Sequence, residues 1–175
     1  MSTRPSNTRL SIVTILVTLI GIAAFSAPAQ ATGATSAICT NLFTITITPG
    51  WSMTPTSGTV TTHGETGSVI CVGQIDGHRV TGAGTMGIDE TYTNVTCPSS
   101  IITGIIRMTI PTTAGIKHMK GALHVRRIGL IVQPKADFPN AQFSGIGVAI
   151  PTQGTCLLTP LTQARLSVTG TLSGT

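Results

Sequence analysis

An all-β fold, a single antiparallel β-barrel with a β-sandwich as the alternative, is what this sequence predicts, on three observations. Threonine, a β-branched residue that favours extended chain, dominates from Thr32 onward, with 28 copies against 19 glycines. Apolar and polar residues alternate with a period of two in several short runs, and no stretch after the first 31 residues shows a 3.6-residue period. Clusters of Gly, Pro, Asn and Asp punctuate the chain between those runs.

The elements follow in order. Residues 39–47 read Cys-Thr-Asn-Leu-Phe-Thr-Ile-Thr-Ile, apolar mostly at odd positions and threonine mostly at even ones, so one face is set to be buried. Pro49-Gly50 is expected to end that strand. Runs at 68–75 and 78–88 flank Asp76-Gly77, a dipeptide that suits a hairpin turn. Further strands are expected at 101–110, 115–126, 128–133, 141–150 and 165–172, with turns at 111–115, 134–140 and 151–160. Short strands at such spacing build a sandwich or a barrel. Gly82, Gly84, Gly104, Gly121, Gly145 and Gly147 lie inside these runs. They weaken a flat sheet but suit one that coils tightly, which favours the barrel.

The first 31 residues differ from the rest. Arg4 and Arg9 precede a mostly apolar run at 10–25, and Ser26-Ala27-Pro28-Ala29-Gln30-Ala31 closes it. These are the three parts of a secretory signal peptide with an A-x-A cleavage site. The apolar run is shorter than the roughly 20 residues of a spanning helix. The expected organisation is a signal peptide at 1–31, a short flexible arm at 32–38 and a single β domain at 39–175. That places the protein outside the cell or at its envelope, not spanning the membrane once the leader is cleaved.

An exported chain with an even number of cysteines points to disulfides. Cys39, Cys71, Cys97 and Cys156 predict two, and their wide spacing lacks the close pairs of a zinc site. Four cysteines allow three connectivities. Pairing neighbours in sequence gives Cys39–Cys71 and Cys97–Cys156.

Charge and aromatic content exclude nucleic acid as a partner. Of ten Lys and Arg, Arg4 and Arg9 fall in the leader, leaving eight against five acids. Binding to phosphates needs a denser basic surface. Phe43, Trp51, Tyr92, Phe138 and Phe143 are the aromatics beyond the leader, too few for a base-stacking strip.

With the leader, the threonine-rich β chain and the four cysteines go two turn segments, Pro111-Thr112-Thr113-Ala114-Gly115 and Pro151-Thr152-Gln153-Gly154-Thr155-Cys156, the latter followed by Thr159-Pro160. Together they resemble the small exported proteins of unknown function found in actinomycetes. The resemblance implies an extracellular or envelope location and brings no catalytic residue.

The strongest candidate for binding chemistry is the 115–126 strand. Alternation puts His118, Lys120, His124 and Arg126 on one face and Met119, Leu123 and Val125 on the other. The first face is a candidate anion or ligand surface; a solvated outer wall is the plainer expectation. Histidines six apart on a strand are about 20 Å apart, too far to share a metal ion. No catalytic residue, metal ligand or cofactor-binding residue is assigned, and no cofactor is expected. Asp89 and Glu90 are adjacent, so on a strand they point to opposite faces and cannot act as an acid pair. A hydrolase would need a histidine, His63 or His78, converging with Asp76, Asp89 or Glu90 in a cleft. The expected function is therefore a non-catalytic exported β domain with a binding or envelope role. A small barrel carrying an apolar ligand is second, to be recognised by an interior of roughly 300 Å³ or more, and a secreted hydrolase third.

One further expectation concerns association. Residues 101–110 and 128–132 are apolar on both faces. A single-layer barrel must turn one of those faces outward, where monomers seldom leave a large apolar patch. A homodimer through these two strands would cover it, and a two-layer sandwich whose second face is covered by a loop or tail is the competing expectation.

Overall fold

Alternation is realised along most of the described residues. The computed structural model describes residues 33–174, so the leader at 1–31 lies outside the described residues. Ten strands form one antiparallel sheet. They are β1 (Thr35–Trp51), β2 (Thr56–Thr61), β3 (Gly67–Ile75), β4 (His78–Arg79), β5 (Gly84–Val95), β6 (Ser99–Thr112), β7 (Gly115–Ile128), β8 (Ile131–Phe138), β9 (Ala141–Gln153) and β10 (Leu161–Gly174). Strands β5 to β10 run as a meander, each paired with the next. β1 pairs with β10 on one edge and with β3 and β2 on the other. β2 and β3 in turn both pair with β5, so the sheet closes into a ring. Because β2 and β3 share one gap and β4 only extends the β3 hairpin, eight strand positions surround the interior. Eight is the number at which side chains alone can fill the middle. The sandwich alternative falls: a single layer encloses the core.

The interior is packed with inward-pointing side chains. Ile47, Met86, Met108, Ile110 and Leu172 are among the most deeply buried, and every strand from β5 to β10 contributes an alternating row. Glycines permit the curvature. A Cβ on Gly104 would lie 2.2 Å from the Asp89 carbonyl oxygen, and one on Gly147 would lie 2.2 Å from that of Ser167. Adjacent strands approach that closely only where a side chain is missing.

Two disulfides pin the ring, with the connectivity expected from neighbours in sequence. Cys39–Cys71 joins β1 to β3 at directly opposed positions. Cys97–Cys156 ties the β5–β6 turn to the loop before β10. Each such link stabilises a domain by about 2–4 kcal/mol, more for the longer loop.

Several boundaries differ from expectation. The arm at 32–38 is strand from Thr35 onward, because residues 35–38 pair with β10 and Thr35 and Ala37 are buried. Pro49-Gly50 does not end β1: the chain makes an irregularity between Thr46 and Trp51 and resumes pairing at Leu161. The expected 78–88 strand is broken at 80–83, where the chain leaves the β3 hairpin and starts β5 against both β3 and β6. Pro134 lies inside β8 instead of opening a turn. It pairs with Val125 of β7, and its missing N–H falls where the β8–β9 ladder is interrupted between Val132 and Lys135. The turns themselves sit at 129–130 and 139–140. At Asp76-Gly77 both residues have positive φ, 50° and 77°, as a tight hairpin turn demands.

Candidate functional site

Alternation through a closed sheet leaves two surfaces that could act: the outer wall and the interior. The outer wall holds the residues the sequence singled out. His118, Lys120, His124 and Arg126 all project outward from β7 and are exposed. They do not form one cluster. His118 and Lys120 lie in a depression with Phe138, Pro139 and Asn140, and His118 Nδ1 lies 3.2 Å from Thr109 Oγ1. His124 and Arg126 share a separate shallow groove with Ile101, Gln133 and Lys135.

Beside that second groove the wall is apolar. Ile128, Ile131 and Val148 stand in direct register across β7, β8 and β9. Ile146 and Ile150 flank Val148 on the same face of β9, Leu130 sits in the adjoining turn, and Ile101 comes from β6. Ile101 is 73% exposed and Ile131 43%, so nothing among the described residues covers this row. Of the two runs expected to face outward, Ile101 and the residues at 128–131 belong to the patch, which extends onto β9; Ile105, in register with Asp89 and Ala122, is separated from it by Thr103 and His124, and Val132 is buried. Cations border it. Arg126 is in register with Ile101, Lys135 with His124, and Arg165 with Ile150. On this stretch of wall Asp137 is the single carboxylate among the described residues of β6 to β9.

The remaining surface acids are engaged. Arg107 forms an ion pair with Asp89, which also accepts a hydrogen bond from Thr61, and these contacts hold its carboxyl below the usual range. Lys117 pairs with Asp76. Glu65 accepts from Thr85 and Thr109. His63 and His78 are exposed at turns and strand ends.

The interior holds a second site, which sequence reading missed. A cavity of about 40 Å³ is bounded by apolar residues such as Ile88, Ile106, Phe143 and Leu166, together with Asn41, Trp51, Glu90 and Arg127. Glu90 points inward from β5, opposite to its neighbour Asp89, as alternation requires. It is paired in register with Gly104, whose missing side chain leaves the carboxyl room. Burial without a counter-charge pushes the Glu90 carboxyl up to about 8. Arg127 is the inward neighbour of Arg126. Its Nε donates to Ser100 Oγ at 3.1 Å, Nη1 to the Cys97 and Gly129 carbonyls at 2.6 and 2.9 Å, and Nη2 to the Thr96 carbonyl at 3.0 Å. The guanidinium lies 4.4 Å from the centre of the Trp51 ring, a cation–π contact. Tyr92 meets the same indole edge-on at 6.0 Å and donates its hydroxyl to the Pro49 carbonyl. Arg127 thus ties the 96–100 and 129 turns over one end of the ring.

Among the described residues, four buried side-chain polar atoms have no hydrogen-bond partner: Asn41 Oδ1, Trp51 Nε1, Thr56 Oγ1 and Glu90 Oε1. Three of those four residues, Asn41, Trp51 and Glu90, line the cavity. No cluster of His, Cys, Asp or Glu among the described residues has metal-binding geometry. No helix of the described residues is long and apolar enough to cross a membrane. No protein-family model matches this chain, and comparison with the curated proteins and with the solved structures finds no match.

Proposed function

We propose that this chain is an exported, non-catalytic β domain that works at the cell envelope by docking its β6–β9 wall on an anionic lipid surface. The observation that carries this reading is the isoleucine and valine row bordered by Arg126, His124, Lys135 and Arg165 with one carboxylate nearby. Apolar side chains that enter an acyl boundary, with cations at the headgroup level, are what adsorption to an anionic bilayer requires. Two disulfides suit an oxidising compartment outside the cytoplasm. A cavity of about 40 Å³ is far below the volume a carrier of apolar ligands needs. The hydrolase reading has little to stand on, since Glu65, Asp76 and Asp89 are held by partners and Glu90 is the sole carboxyl lining the cavity.

The test is cosedimentation with vesicles of zwitterionic lipid and of the same lipid plus one-third anionic lipid. Binding should be confined to the anionic vesicles, weaken with salt, and fall when Ile131→Glu is introduced. Binding to neither vesicle, or equally to both, overturns the proposal. A second copy is the competing occupant, because the exposed row is also what a symmetric dimer would bury. A dimer by analytical ultracentrifugation that Ile131→Glu dissociates would assign the face to that copy instead.

A further inference from the structure

Resting on the reading that the β6–β9 wall meets an anionic bilayer, we infer that the adjoining end of the ring is its insertion end, with Leu157 and Leu158 entering the acyl layer. Four connections lie at this end because neighbouring strands alternate in direction: 52–55, 96–98, 129–130 and 154–160. They are stitched together. The Cys97 N–H donates to the Ser52 carbonyl at 2.9 Å and the Gly129 N–H to the Pro98 carbonyl at 2.8 Å. The Cys97–Cys156 disulfide joins the second connection to the fourth. Within the fourth, the Thr155 and Cys156 N–H groups both donate to the Thr159 carbonyl, at 3.2 and 2.9 Å, and the Leu158 N–H donates to Thr155 Oγ1 at 3.3 Å. The 155–159 turn closes on itself and leaves Leu157 78% and Leu158 91% exposed.

Position and composition select the partner. Met53 and Leu130, 54% and 55% exposed, stand in two of the neighbouring connections, so three of the four present a large apolar side chain to solvent. None of the four contains a Lys, Arg, Asp or Glu. Cations stand one step back: Arg126 and Lys135 flank the 129–130 turn along the chain, and Arg165 follows the 154–160 connection. Asp76 and Asp137, in contrast, lie in or beside the turns at 76–77 and 139–140, at the opposite end of the ring. Leucines that pass the headgroups, with cations held at their level, match an anionic bilayer. A second protein is the poorer fit. A pocket that seats the 155–159 tip leaves Met53 and Leu130 in water, whereas a bilayer takes all three connections without a shape-matched surface.

Vesicles containing one-third anionic lipid provide the test, with a double variant, Leu157→Ser and Leu158→Ser, that leaves the wall row untouched. It should bind about tenfold or more weakly than the parent. In a separate variant, Leu158→Trp adds an indole at the tip to the buried Trp51, and its fluorescence should be quenched by lipids brominated on the acyl chain. A parent that binds alongside an equally binding double variant overturns the insertion end and leaves the wall reading standing. A parent that binds no anionic vesicle removes both. Vesicle-bound Leu158→Trp without acyl-chain quenching also overturns the inference, as does concentration-dependent assembly that the double variant abolishes, which would give the tip to another copy. Should the double variant fail to fold, the quenching decides.

Discussion

Arg126 and Arg127 are neighbours in sequence and inhabit different solvents. Arg126 projects from the outer wall into water, whereas Arg127 projects into the ring, under Trp51, with four hydrogen bonds. Asp89 and Glu90 repeat the contrast: Asp89 meets Arg107 on the surface, and Glu90 is buried without a counter-charge. In a closed single-layer sheet a step of one residue moves a charge through the wall. The same side chain then changes from a screened surface group into a group whose every bond counts.

The largest test of that contrast is Arg127→Met. It leaves the Thr96, Cys97 and Gly129 carbonyls without their donor and removes the cation beside Trp51. Chemical denaturation should register a loss of about 3–5 kcal/mol. A loss as small as that of Arg126→Ala would mean the two arginines are equivalent and the contrast is void.

The next is a pH profile. The folded carboxyl of Glu90 is raised from 4.5 to about 8, so the folded state holds a proton that the unfolded state gives up. Stability is then full below pH 4.5 and declines as pH rises toward about 8, by up to one proton's worth of free energy per pH unit. Glu90→Gln should remove this decline and leave the variant more stable than the parent at pH 8. A parent whose stability is flat from pH 5 to pH 8 would show that Glu90 is ionised inside the ring.

The smallest effects belong to the outer wall. Alanine at His118, Lys120, His124 or Arg126 should change stability by no more than about 0.5 kcal/mol each. A loss of several kcal/mol at any of them would show that the wall carries a structural duty its exposure does not suggest.

Alternation made the outer wall legible. Even positions of 116–126 face water and the odd positions from Met119 to Val125 face the core, and the split of Asp89 from Glu90 follows the same rule. That rule also reached Arg127, which continues the odd-numbered row of Met119, Leu123 and Val125. A charge in an apolar row is the signal that would have found it. Asn41 and Trp51 were less accessible. Asn41 sits among threonines that face the other way, and Trp51 follows an irregularity after Thr46 that breaks the count of two. β2 was missed because Thr54-Pro55-Thr56 looks like loop, and its pairing with β1 and β5 is set by partners distant in the chain. Pro134 looked like a turn because the gap in the β8–β9 ladder that accommodates it is a property of the neighbouring strand.

The seam of the ring joins Thr35 to Gly174, so the first strand to be made finds its partner in the last. Every other neighbour in the meander from β5 onward is local, and this joint spans the described chain. Pairing across that length carries the largest loop-closure cost of any joint in the sheet. Until β10 arrives, the β1 edge stays open and can template pairing with another chain. Closure of the ring thus rests on the pairing most distant in sequence, and the Cys39–Cys71 bridge, which ties β1 to β3, fixes the strand that carries that edge.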